Sequence, residues 1–220
     1  MKSISVCWSS DVQNEEAVQA LAAIVGVITS LYHTRWPWGL IAPAVGVRPY
    51  GNWVIPALTE GEPYSSFEWY LDNSYSTAWQ ALNAERFLDL VVEEPWQQGS
   101  HHYDFSLVHL PLRREESPEH LPLASRPGIA TVISADWVRF YESIEMQHLA
   151  LRRLAFYGLG LAVGLEPHPM DASACAMRQF AGHADLLSKA LDEHKHNVVY
   201  CDDHLQELLG IVLSGRGPLN

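Results

Sequence analysis

From Ile4 to Trp8 apolar side chains alternate with small polar ones, the period of a strand with one buried face. The period then changes. Ala17, Val18, Leu21, Ile24, Val25, Ile28 and Leu31 recur every three or four positions, which predicts a helix with Asn14 as its cap, ahead of Glu15 and Glu16. From Thr34 to Tyr70 the chain is dense in Pro, Gly, Trp and Tyr, so strands within it, such as Gly39 to Val47, must be short and bounded by turns. Ala78, Trp79, Leu82, Phe87, Leu90 and Val91 predict a second helix between Ser74 and Val92, stopped by Pro95. After the polar turn QQGSHH, YDFSLVHLPL reads as a strand, Arg113 to Pro127 as a charged loop, and GIATVIS at 128–134 as a buried strand. A third helix is expected from about Asp136, carrying Ile144, Leu149, Leu151, Leu154 and Leu161 as far as a left-handed cap at Gly164, with Pro167 as the stop. Each glycine inside a helix costs roughly 1 kcal/mol relative to alanine, so Gly158 and Gly160 predict close packing, against a neighbouring helix. His183 to His196 forms another helix, and Asp202 is expected to cap a last one through Leu205, Leu208, Leu209 and Val212.

This order predicts an α+β fold in which a mixed β-sheet packs on long helices and a helical part closes the chain. At 220 residues one domain is the default, with a sheet-containing part at 1–137 and a helical part at 138–220. No repeat and no low-complexity segment divides it. With 48% hydrophobic and 18% charged residues the chain has the composition of a globular protein.

Charge narrows the partners. A formal charge of -12, with Lys2, Arg35, Arg48 and Arg86 the only strong cations before Pro111, repels phosphate backbones and anionic lipid headgroups alike. Nucleic acid and membrane surfaces are therefore excluded as partners. The longest apolar run, Leu154 to Leu165, is too short to span a bilayer. The opening residues lack a signal-peptide core, because Asp11, Glu15 and Glu16 interrupt them. A cytoplasmic location is the expectation. Three widely spaced cysteines do not make a disulfide framework, and Cys7 reads as a small buried hydrophobe in a strand.

The eight tryptophans include Trp36, Trp38, Trp53 and Trp69 in the irregular segment. They either cover the core beneath long loops or form a recognition patch. His168, Cys175, Cys201 and His204 offer two thiolates and two imidazoles, an ordinary structural zinc set, and Cys201 and His204 stand as Cys-x-x-His. The pair His101 and His102 and the run Asp192 to His196 lack the i, i+4 histidines with an adjacent Glu that a zinc peptidase helix needs, and read as solvated surface.

An apolar helix running into Gly164-Leu165, then Cys175-x-Met177, then Cys201-x-x-His204, resembles the archaemetzincins, small zinc peptidases of the metzincin type and the zincin fold. In that family His-Glu-x-x-His on one helix, a glycine turn and a third His hold the catalytic zinc. Placing Gly164 on the turn glycine puts Tyr157 at the first His, Gly158 at the general-base Glu, Leu161 at the second His and Pro167 at the third. A catalytic zinc needs about three protein ligands and a water with a carboxylate beside it, so the resemblance implies a degenerate, catalytically inactive member. The family's second, structural zinc site is altered. Six residues separate His168 from Cys175 where the family has four, and Cys-x-x-His replaces Cys-x-x-Cys. The resemblance implies one structural zinc per chain on His168, Cys175, Cys201 and His204, with Met177 at the methionine turn in a packing role, and an old substrate cleft that binds a peptide or protein. Two alternatives stay open: an active zinc peptidase with rearranged ligands, such as His101, His102 or His168, or a metal-free binding protein.

Overall fold

Strand β1 (Lys2–Trp8) sits between two parallel neighbours, and its alternation places Ile4 and Val6 on one face of a sheet and Ser3, Ser5 and Cys7 on the other. The structure is a computed structural model that describes residues 2–35, 45–55, 59–60, 65–93 and 102–214. Beside β1 lie β2 (Val45–Gly51) and β7 (Tyr103–Val108). Outside β7 come β11 (Ala130–Ser134) and, as an antiparallel edge, β10 (Leu123–Arg126), giving the order β10-β11-β7-β1-β2. Two smaller sheets flank this one: β3 (Val54–Ile55) with β4 (Ser65–Ser66), and β5 (Tyr75–Ser76), β6 (Ala81–Asn83), β8 (Leu112–Arg113) and β9 (His120–Leu121).

Helix α1 (Asn14–Arg35) covers one face together with the long helix α5 (Ile144–Val163), and the two join Ile4, Val6, Phe105, Leu107 and Ile133 in one core. Helices α2 (Phe67–Ser74) and α3 (Ala84–Glu93) close the opposite face over Cys7, Val108, Ala130 and Val132. The chain ends in α6 (His183–His196) and α7 (Asp202–Ser214). The expected mixed sheet on long helices is therefore present, and Cys7 is buried in a strand. No helix among the described residues is long and apolar enough to cross a membrane.

Several local expectations are corrected. The cap of α1 is Gln13, not Asn14: the Gln13 carbonyl accepts the Ala17 N–H at 3.0 Å, and the Gln13 N–H donates to Glu16 Oε2 at 2.9 Å. The helix expected from Ser74 begins only at Ala84, because 75–83 turns through Gln80 at φ 51° and pairs β5 with β6. Asn83 then takes the Arg86 N–H at 3.1 Å. A continuous third helix is also overturned. The short helix α4 (Ala135–Val138) ends, and α5 restarts at Ser143, whose hydroxyl accepts the Met146 N–H at 3.3 Å. Part of the loop expected at 113–127 is strand β10, recruited by pairing with β11. Strand β2 overlaps the expected 39–47 only at its end, and 39–44, Trp36, Trp38, Pro95 and His101 lie outside the described residues. Trp53 packs on the α2/α3 core whereas Trp69 is 40% exposed.

The glycines of α5 do answer to close packing, but not against a helix. A Cβ on Gly158 would stand 2.8 Å from Thr131 Cγ2 and 3.0 Å from Ile133 Cδ1, both on β11, and one on Gly160 would collide with the sulfur of Met177. Gly158→Ala gains roughly 1 kcal/mol of helix propensity but forces a β-branched strand residue to move, which costs about 1–3 kcal/mol. The expected result in urea denaturation is a lower midpoint with an unchanged slope.

Candidate metal centre

Helix α5 stops where the backbone turns left-handed at Gly164, φ 97°, with the Gly164 N–H on Gly160 O and Leu161 O and the Leu165 N–H on Gly160 O at 2.8 Å. Pro167 then leads into His168. A two-residue bridge fixes that histidine: its N–H donates to Met177 O at 2.8 Å, and its carbonyl accepts the Gln179 N–H at 3.1 Å. The same segment carries Cys175, and the Ala176 N–H donates to Val199 O at 2.6 Å, drawing the approach to α7 alongside. Cys201 is the residue just before α7, one earlier than the expected cap Asp202, and its carbonyl accepts the Leu205 N–H. Three residues on, in the first helical turn, His204 faces the same way. Leu208 and Val212, further along α7, are buried in the α1/α5 core.

These elements bring all four candidate ligands together. Their donor atoms lie within 4.8 Å of one another. His168 Nε2 stands 3.2 Å from Cys201 Sγ, and His204 Nδ1 stands 3.4 Å from Cys175 Sγ and 3.5 Å from Cys201 Sγ. A tetrahedron with zinc–sulfur bonds of about 2.3 Å and zinc–nitrogen bonds of about 2.0 Å has sulfur–nitrogen edges of about 3.5 Å. The cluster therefore has the donor set and the edge lengths of one zinc site.

The surroundings fit as well. The Cys201 N–H donates to Cys175 Sγ at 3.3 Å, and the imidazole of His204 donates to the Glu166 backbone, which leaves its Nδ1 directed at the sulfurs. Burial pushes the Cys175 thiol up to about 11 and, with the charge of His168 adding to it, holds His204 below the usual histidine value. A metal binding here meets a neutral imidazole and displaces a thiol proton. The two residues by which the His168–Cys175 spacing exceeds the family's are absorbed in the largely exposed turn 169–174.

The other candidate positions fall elsewhere. Tyr157 and Leu161 are largely buried on α5, Gly158 presses on β11, and Pro167 is exposed in the turn. The Tyr157 ring meets Phe180 edge-on at 5.7 Å, and the Arg153 guanidinium lies over both rings, 6.0 and 5.2 Å from their centroids. His102 is not solvated surface: its side chain is 11% exposed and pairs with Asp104 across the sheet from the Cys/His cluster. Nor is all of Asp192 to His196. Glu193 is 5% exposed and pairs with Arg153 at 3.2 Å and with Arg178 at 3.0 Å, a buried ionic group that sequence reading missed. The helical stripe Leu186, Lys189, Ala190, Glu193 was the available signal, since these four are the buried face of α6.

No family model and no curated protein matches this chain. Solved structures do. An archaemetzincin from Methanopyrus kandleri covers 97% of this chain and 96% of its own at 15% identity and a TM-score of 0.61. A zinc-dependent peptidase from Methanocorpusculum labreanum covers 91% and 97% at 10% identity and 0.55. An archaemetzincin from Archaeoglobus fulgidus, complexed with malonate, covers 93% and 98% at 12% identity and 0.52. Over nearly its whole length, then, this chain has the archaemetzincin fold, with a cluster of two cysteines and two histidines built to the dimensions of one zinc ion.

Proposed function

We propose that the chain is a catalytically inactive archaemetzincin-like protein that holds one structural zinc on His168, Cys175, Cys201 and His204 and acts by binding a peptide or protein. The observation that carries the metal is the set of sulfur–nitrogen separations, 3.2 to 3.5 Å. Inactivity is supported by chemistry at the four positions aligned with the family's catalytic residues. Gly158, Leu161 and Pro167 offer no side-chain donor or base, and Tyr157 is packed against Phe180. The rival reading, a peptidase with rearranged ligands, is weakened because His168 belongs to the cysteine cluster and His102 faces the other side of the sheet. Peptide binding is supported by β10, an edge strand of the main sheet to which an extended segment could add as a further strand. None of the described cysteines is in a disulfide, which suits a reducing compartment such as the cytoplasm.

Metal analysis of the purified protein tests this. One tightly held zinc per chain without chelator-sensitive hydrolysis of peptides is the expected result, together with slowed hydrogen exchange in β10 when a peptide ligand is added. Two zinc ions per chain, one exchangeable and required for hydrolysis, would establish the peptidase instead.

A further inference from the structure

Of the four clustered ligands, the two cysteines alone can be oxidised and reduced again. A metal-bound thiol is deprotonated outright, and the thiolate is the form that reacts with oxidants. The third cysteine of the chain stands apart. Cys7 is buried on the other face of the sheet in the α2/α3 core, whereas Cys175 lies in the α1/α5 core and Cys201 packs against it.

The two sulfurs of the cluster stand within 4.8 Å of each other, and one imidazole touches both: His204 Nδ1 is 3.4 Å from Cys175 Sγ and 3.5 Å from Cys201 Sγ. A disulfide needs the sulfurs at about 2.05 Å and the Cα atoms within about 6.8 Å. The backbones are already close. The Cys201 N–H donates to Cys175 Sγ at 3.3 Å, and the Ala176 N–H donates to Val199 O at 2.6 Å, which ties the two segments side by side. Closing the gap takes rotation about the Cα–Cβ bonds once the metal has left. Access is unequal. Cys175 is fully buried, whereas Cys201, just before α7, is half-buried. An oxidant arriving from solvent meets Cys201 first, with Cys175 behind it as the resolving thiol.

We propose that hydrogen peroxide oxidises this pair to a Cys175–Cys201 disulfide and thereby releases the zinc. The inference rests on the structural-zinc reading above and adds a regulation of that site. The Cys201 thiolate attacks one peroxide oxygen, the O–O bond breaks, and the leaving hydroxide takes a proton. A sulfenic acid then stands at Cys201. The Cys175 thiolate attacks its sulfur, the S–S bond forms, the S–O bond breaks, and a second hydroxide takes a proton. Two thiolates lose two electrons, and one peroxide becomes two waters. What remains is His168 and His204, two donors without a negative charge where a structural zinc needs four ligands. Because only two of the four ligands are sulfur, one bond removes every thiolate. A disulfide of this kind is transient in a reducing compartment, where thiols restore the site.

The test treats the full chain, purified with its zinc, with about a tenfold excess of hydrogen peroxide. A colorimetric indicator reads free zinc, thiols are counted in denaturant, and linked peptides are mapped by mass spectrometry. One zinc released per two thiols lost is expected, with the Cys7 thiol still titratable and a Cys175–Cys201 crosslink. Dithiothreitol with added zinc should restore both the thiols and the bound metal. Cys7→Ala, outside the cluster, should release zinc to the same extent. A chain that holds no zinc as purified overturns the zinc reading and this inference with it. A chain that keeps its zinc, with all three thiols titratable after peroxide, overturns this inference alone. So does zinc loss in which Cys201 goes on to sulfinic acid, or joins Cys7 or a second chain, in place of the Cys175–Cys201 bond.

Discussion

Stripping the metal with a chelator is expected to lower the melting temperature by about 8 to 16 °C and to open the C-terminal segment first. A ligand present at a thousand times its Kd stabilises a fold by about 4 kcal/mol, and for a chain of this length each kcal/mol moves the midpoint by about 2 to 4 °C. The loss should be local at first. His168 and Cys175 belong to the bridge that follows α5, whereas Cys201 and His204 open α7, whose buried Leu208, Ile211 and Val212 all lie beyond that first turn. Hydrogen exchange should therefore speed up in α7 before it changes in β1 or β7. Cys175→Ser gives the matching genetic result, because a serine hydroxyl is a poor zinc ligand: zinc content falls close to zero, and the variant melts within a few degrees of the stripped wild type. Added chelator should then have no further effect on it. A wild-type protein whose melting and exchange are the same before and after chelation would rule out a structural zinc at these four residues.

Glu193→Gln is expected to cost about 3 to 5 kcal/mol, the usual consequence of removing one partner from a buried ion pair. Arg153 is 2% exposed and Arg178 8% exposed, so neither can turn to water when the carboxylate is lost. Arg178 keeps Asp192 at 3.1 Å, but among the described residues Arg153 keeps the Arg178 carbonyl, to which its Nη2 donates at 2.8 Å, and the faces of Tyr157 and Phe180. The pair is nonetheless a weak source of stability. Burial pulls Arg153 below the usual arginine value despite Glu193, and raises Glu193 above the usual carboxylate range despite two guanidiniums. Desolvation outweighs attraction for both. The Nε of Arg153 lies within ion-pair distance of the carboxylate but without hydrogen-bond geometry, which fits the same picture. The double variant Arg153→Met with Glu193→Leu should therefore recover most of what Glu193→Gln loses. Urea denaturation of the three proteins measures this, and a Glu193→Gln midpoint equal to that of the wild type would show that the ionic group has access to water.

Both experiments concern features of different legibility. The zinc cluster was visible as four ligand-type residues in order, because a metal site constrains residue identity. Glu193 was hidden, because a charged residue among Asp192, His194, Lys195 and His196 looks like its solvated neighbours until the partner is known. That partner, Arg153, lies forty residues earlier on α5.

What the sequence determined by itself is whatever depends on near neighbours along the chain: the alternation of β1, the apolar period of α1, the left-handed stop at Gly164 and the Cys/His set that follows it. Tertiary structure decided the rest. The break between α4 and α5, the hairpin through Gln80, the edge strand β10 and the partner of Gly158 all arise where a segment's own preference yields to pairing or packing with something distant. Arg48, Ser5 and Asp104 are the extreme case, three residues on three strands that only parallel register makes neighbours. Local preferences are worth fractions of a kcal/mol per residue, and burying or pairing a side chain outweighs them.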